Sequence, residues 1–302
     1  MSRYDLDHIR TEGQGEMMQY QVYPGIEVYR SSFRAEQVTM LHKPDPYVLE
    51  INYCHKGRAG WNMKGGTSVY LGEGDLCLHS MAYCADSEMM LPLGYYEGIC
   101  AAVDLRQIAQ SPPEILLEAG LDFQQIASKY CSCRKSAVIW ADARVQGIFE
   151  TLYGIPRCLY LPYLKLKMQE LLLFLSQEDP GDWQAAQYSS GQTELVKQIH
   201  SQLTRDLKQR YTIEELSRQY LLNTSSLKEL FKAVYGLPVA SYMKEYRVRR
   251  AMELLRDTGD SISDISKSVG YETQGKFTKA FKDVAKVLPS EYRKQCRKEQ
   301  GI

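Results

Sequence analysis

The sequence predicts an α+β, multidomain chain: a β-rich front, a helical middle and an all-α double helix-turn-helix at the end. Three observations predict it. Residues 20–105 break into short β-type runs between Gly, Pro and Asp. From Ile139 to Gln177 the apolar period turns helical. The pattern of Tyr211–Lys232 then returns at Ser261–Lys282, an internal repeat. A chain of 302 residues has room for two domains.

The expected strands are 47–53, 60–63, 67–71, 75–79 and 97–103, with turns at Lys56-Gly-Arg, Lys64-Gly-Gly and Gly72-Glu-Gly-Asp. Such a meander suits a small jelly-roll or cupin-like β-barrel over residues 1–135. Tyr53, Trp61, Met63, Tyr83, Tyr95 and Tyr96 supply apolar, stacking surface for a small-molecule effector, or equally serve as core and rim. A metal centre needs converging imidazoles and carboxylates. Here no H-x-H occurs, and His42, His55 and Glu50 make the one triple to weigh. Strand alternation puts Glu50 and His55 on opposite faces, so no metal and no cofactor are expected.

Pro112-Pro113 opens a short helix, Glu114–Ala119, ended by Gly120. The helical stretch after Ile139 breaks at Gly154-Ile-Pro156. Its second half carries Leu164, Leu166, Met168, Leu171, Leu172 and Leu175, too apolar for a lone surface helix. Residues 136–178 are therefore expected to dimerise, or else to pack on the front domain of the same subunit. Pro180, Gly181, Ser189, Ser190 and Gly191 mark a linker over 179–193. The last module, 194–302, opens with a helix near Glu194 bearing Leu195, Ile199, Leu203 and Leu207.

Within it, two helix-turn-helix units are expected at about 212–232 and 261–282. Thr212 and Ser261 are N-cap types, followed three residues later by Glu215 and Asp264. Leu227, Leu230 and Phe231, then Phe277, Ala280 and Phe281, give each second helix an apolar face. The opposite faces are short, polar and basic, as a helix entering a major groove requires. The copies are offset by 49 residues before the inner turn and 50 after it, so the second turn holds one extra residue. A helix from about Val239 to Arg256 joins them; Tyr242, Tyr246, Ala251, Leu254 and Leu255 form its buried stripe, with Arg247, Arg249 and Arg250 on the other side.

Net charge is zero but uneven: residues 194–302 carry 21 basic against 14 acidic side chains, and residues 1–193 carry 16 against 23. A basic terminal module suits a polyanion. No apolar run is long enough to span a membrane, and the charged start is unlike a secretory signal. The eight scattered cysteines, with no C-x-x-C pair, read as reduced thiols of a cytoplasmic protein.

The terminal module resembles the AraC/XylS family of bacterial transcription regulators. Carrying the resemblance are Leu227-x2-Leu-Phe-Lys-x2-Tyr-Gly236, Tyr242-x4-Arg247-x3-Ala251-x2-Leu-Leu255, Ile262-x2-Ile265-x4-Gly270-Tyr271-x5-Phe277-x3-Phe281-Lys282 and Pro289-Ser-Glu-Tyr-Arg293. It covers roughly the last 100 residues. The front resembles, more loosely, the sensing domain of many such regulators, where Gly-Arg-Ala-Gly60 and Leu-Gly-Glu-Gly-Asp75 mark successive hairpins. Departures are Lys286 in place of a glycine, Pro238 one residue early, and Glu229 at an often basic position.

The resemblance implies a sequence-specific, non-enzymatic DNA-binding regulator, a homodimer under effector control. Double-stranded DNA is the implied partner, with RNA polymerase as a second if it activates. Ser225, Lys228, Glu229, Gln274, Lys276, Thr278 and Lys279 match the family's base-reading positions. Lys232, Arg249 and Lys282 suit phosphate contacts, which position without specifying. The alternative is a DNA-repair-type or metal-cupin enzyme carrying the same module. The repair reading requires clustered cysteines, and these are scattered.

Overall fold

In the computed structural model, residues 4, 6, 9–132, 136–179 and 188–299 are described. Residues 180–187 of the expected linker, and Cys133, lie outside them. The chain divides into two compact units, Met1–Ser190 and Gly191–Ile302.

The first unit runs β1 (Arg10–Thr11), β2 (Gln14–Tyr23), β3 (Ile26–Arg34), β4 (Gln37–Thr39), β5 (Val48–Gly57), β6 (Ala59–Met63), β7 (Thr67–Leu71), β8 (Leu76–Ser80), β9 (Cys84–Met90) and β10 (Tyr96–Asp104). Helices α1 (Leu105–Gln110), α2 (Glu114–Glu118) and α3 (Phe123–Tyr130) follow, then β11 (Ala137–Ile139), α4 (Ala143–Phe149), α5 (Arg157–Gln177) and β12 (Tyr188–Ser189). The strands pair antiparallel in two six-stranded sheets, ordered β1-β4-β9-β6-β7-β12 and β11-β8-β5-β10-β3-β2.

Where a jelly-roll or cupin-like barrel was expected, the strands form two sheets. Among the described residues no ladder joins their edges. The physical reason lies in what covers the second sheet. One face meets the other sheet through Tyr29, Cys54, Cys77, Tyr96 and Ala102 with Trp61, Val69 and Met89. Its other face, with Val28, Leu49, Ile51, Tyr53, Leu78 and Ile99, packs on Phe149, Leu164, Met168 and Leu172. A sheet so covered buries both faces without closing on itself. That is why β5 and β10 are almost wholly buried and read as near-continuous apolar runs.

Of the six apolar residues expected on α5, five are buried in this core; Leu166 is 56% exposed and stands out with Leu159, Leu161 and Tyr163. Ile139, expected to open a helix, instead ends β11, paired with Leu76.

The second unit contains α6 (Ser190–Arg205), α7 (Ile213–Gln219), α8 (Thr224–Tyr235), α9 (Val239–Asp257), α10 (Ile262–Ser268), α11 (Gln274–Ala285) and α12 (Pro289–Glu299). Helix α6 begins four residues before Glu194 and buries Val196, Ile199 and Leu203. The two repeats become α7–α8 and α10–α11, joined by α9. Thr212 and Glu215 complete a capping box. Ser261 caps α10 too, but the shorter Asp264 side chain bonds the Ser261 hydroxyl at 2.6 Å rather than the cap backbone.

Candidate nucleic-acid interface

Helices α8 and α11 are built alike from end to end. Each has 12 residues. Asn223 and Thr273, 50 positions apart, cap their N-termini by accepting from Ser226 N and Lys276 N at 2.7 and 3.3 Å. Gly236 and Lys286, again 50 apart, end them in the left-handed conformation, with φ of 83° and 62°. The turn before α8 spans residues 220–223 and that before α11 spans 269–273, so the extra residue falls there.

Burial fixes which way each helix faces. Leu227, Leu230, Phe231 and Val234 of α8 are buried, as are Phe277, Ala280 and Phe281 of α11. At 100° per residue, the opposite arc of α8 holds Ser225, Lys228, Glu229 and Lys232, all exposed. On α11 the exposed set is Gln274, Lys276, Lys279 and Lys282, with Thr278 half-buried. Neither Gln274 nor Lys279 is covered by the protein's own core. Lys276 is held 2.7 Å from Glu272 across one turn, an exposed pair of little energetic consequence.

Helix α9 is a 19-residue rod, so its ends lie about 28 Å apart. Of its arginines, Arg249 is half-buried and paired with Glu245 at 3.0 Å. Arg247 corrects the expectation of a solvent-facing row. It is half-buried, donates from Nη2 to Leu207 O at 3.1 Å, and burial beside Arg210 lowers its pKa. Arg210 in turn donates to Gly270 O at 2.9 Å. These two tie the segment after α6 to α9 and to the α10–α11 turn. Periodicity placed Arg247 on the polar side, because it cannot register a guanidinium folded back onto a carbonyl.

The copies rest on different bases. Under α8, the His200 ring stacks on Tyr235 at 4.5 Å and meets Tyr242 OH at 2.8 Å. Burial pushes its pKa down to about 4. Under α11 the base is Phe277, Phe281, Tyr271 and Tyr292.

In the first unit the six residues expected at an effector site do not converge. Trp61 and Tyr96 line a cavity of about 30 Å3 between the sheets, with Tyr4, His42, Glu50 and Cys100. That is room for a water or two. Met63 is buried in the same core and Tyr83 packs at its edge. Tyr95 is half-buried, with its own carbonyl against Gly57. Tyr53 points the other way, stacked on Phe149 at 4.4 Å and donating to Glu150 at 2.6 Å.

His42 and Glu50 line that cavity, but His55 does not join them. His55 lies with Tyr53, stacked on Tyr153 and 2.8 Å from Glu150. Glu50 faces inward, 3.6 Å from His79, its directly paired neighbour on β8. Burial opposes its ionisation, yet the His79 charge and an Asn52 hydrogen bond hold its pKa down at about 2. Among the described residues, no group of three or more His, Cys, Asp or Glu is placed to hold a metal ion. Nor is any described helix long and apolar enough to cross a membrane.

Comparisons with known proteins bear on the second unit. A family model described as a helix-turn-helix domain matches residues 216–295. The chain is 29% identical over 104 residues to the HTH-type transcriptional activator RhaR of Mannheimia succiniciproducens, covering 34% of this chain and 38% of that one. It is 31% identical over 104 residues to the Msm operon regulatory protein of Streptococcus mutans, covering 34% and 36%. The chain thus spans well under half the length of these curated relatives. Among solved structures, the C-terminal domain of the two-component response regulator yesN from Fusobacterium nucleatum is 29% identical, covering 34% of this chain and 99% of that one, with a TM-score of 0.31. Residues 216–295 form a helix-turn-helix domain.

Proposed function

We propose that the chain is a sequence-specific, DNA-binding transcriptional regulator. The observation that carries this reading is the pair of like-built helices, α8 and α11, each turning a polar and basic arc outward. Side chains of these types reach base edges and phosphates in a major groove. Successive major grooves on one face of a duplex lie about 34 Å apart. A rod of about 28 Å between the two helix-turn-helix copies, with helices tilted into the grooves, suits two adjacent turns. The excess of 21 basic over 14 acidic side chains in residues 194–302 supports the same partner.

In this reading Ser225, Lys228, Glu229, Gln274, Lys276, Thr278 and Lys279 face base edges, while Lys232, Arg249 and Lys282 hold phosphates. Residues 1–178 sense a small effector and dimerise. Leu159, Leu161, Tyr163 and Leu166 on α5 supply the apolar surface for a second copy. The cavity beside Trp61 and Tyr96 is the starting point for an effector, and it must enlarge to admit one. Activation calls for contact with RNA polymerase. No observation favours the enzyme alternative.

The test compares affinities for a selected duplex and for random DNA. Gln274→Ala and Lys279→Ala each weaken specific binding by about 1–3 kcal/mol and leave random-sequence binding much less changed. Equal losses on both DNAs overturn the base-reading assignment.

A further inference from the structure

At one equivalent place the two recognition helices carry opposite charges. Glu229 is the sixth residue of α8 and Lys279 the sixth of α11, and both ends of the two helices are in register at the same offset of 50. Both side chains are exposed, each central in the outward arc. Glu229 makes no hydrogen bond or ion pair among the described residues, although Lys228 and Lys232 flank it. Lys279 makes none either; its neighbour Asp283 is taken up by Lys244 at 2.9 Å.

A lone carboxylate on such a face is repelled by phosphate and accepted only where a base edge offers a donor. In the major groove the donors are the N4 amine of cytosine and the N6 amine of adenine. Adenine sets its N7 acceptor beside that amine, against the carboxylate; cytosine has no acceptor there. Lys279 has the converse need, met by the O6 and N7 acceptors of guanine. Resting on the regulator reading above, we infer that Glu229 reads cytosine. The recognised site then carries a C·G pair under α8 and, about one helical turn away, a G·C pair under α11.

The experiment uses the full chain: selection from random duplexes, then titration of the selected duplex and its three variants at the α8 position. Wild type favours cytosine there by roughly tenfold or more over the other bases. Glu229→Ala levels the four affinities. Glu229→Gln moves the preference to adenine, whose N6 and N7 a carboxamide bonds together. Lys279→Ala loses guanine at the other position and keeps the cytosine preference. If both Glu229 variants bind all four duplexes more tightly by one common factor, or retain the cytosine preference, the inference is overturned. Failure of the wild-type selection to yield any sequence removes the regulator reading itself.

Discussion

The two helix-turn-helix copies share lengths, caps and apolar spacing, yet they exchange residues where the backbone is most demanding. At the inner turn the second copy has Gly270, φ 83°, and the first has Leu221, φ 54° and 92% exposed. At the helix end the first has Gly236 and the second Lys286, φ 62°. Each copy therefore holds one side chain in the left-handed region where its twin has glycine, at a cost of about 1–2 kcal/mol. The exchange teaches that tertiary packing sets these turns and that glycine only eases them. It also shows that the two glycines differ. A Cβ on Gly270 would fall 1.9 Å from Leu207 O, so packing excludes any side chain there. Leu221 stands in solvent and meets no such limit.

That contrast can be broken by mutation. Gly270→Ala costs about 2–3 kcal/mol, because backbone must move as well as adopt a strained angle. Leu221→Gly, at the matching place, gains up to about 1 kcal/mol. Urea unfolding of the second unit reads both; two changes of the same sign and size contradict the account.

The supporting aromatic clusters give a second, smaller distinction. His200, beneath α8, has its pKa lowered to about 4 from an ordinary value near 6.5. The unfolded chain binds this proton first as pH falls. Stability is thus complete above about pH 6.5 and declines toward pH 4, by roughly 1 kcal/mol per pH unit. Protection of α8 amides against hydrogen exchange follows that slope, and His200→Phe flattens it. An unchanged slope in that variant places the titrating group elsewhere.

The regions differ in how far the sequence disclosed them. The repeat in the second unit was legible because caps and the i, i+3, i+4 face are local signals, and Leu227, Phe231, Phe277 and Phe281 all proved buried. Lys286 could be seen to stand in place of a glycine, but not that it adopts the glycine conformation. In the first unit the strands at β5, β6, β7, β8 and β10 followed composition and turns. The β2–β3 hairpin was missed, although Pro24-Gly25 marks its turn. The two-sheet arrangement was hidden for a deeper reason. A strand buried on both faces loses the alternation that tells one side from the other. Tyr53 therefore looked able to line one pocket with Trp61 and Tyr96, and long-range pairing with β8 and β10 decided otherwise.

Both helix-turn-helix copies must engage one duplex, and protection of a selected site by the full chain measures this most directly. Two protected major-groove segments are expected on one face of the DNA, about one helical turn apart, with the α11 segment lost first in Lys279→Ala. A single protected segment, or protection indifferent to sequence, contradicts it.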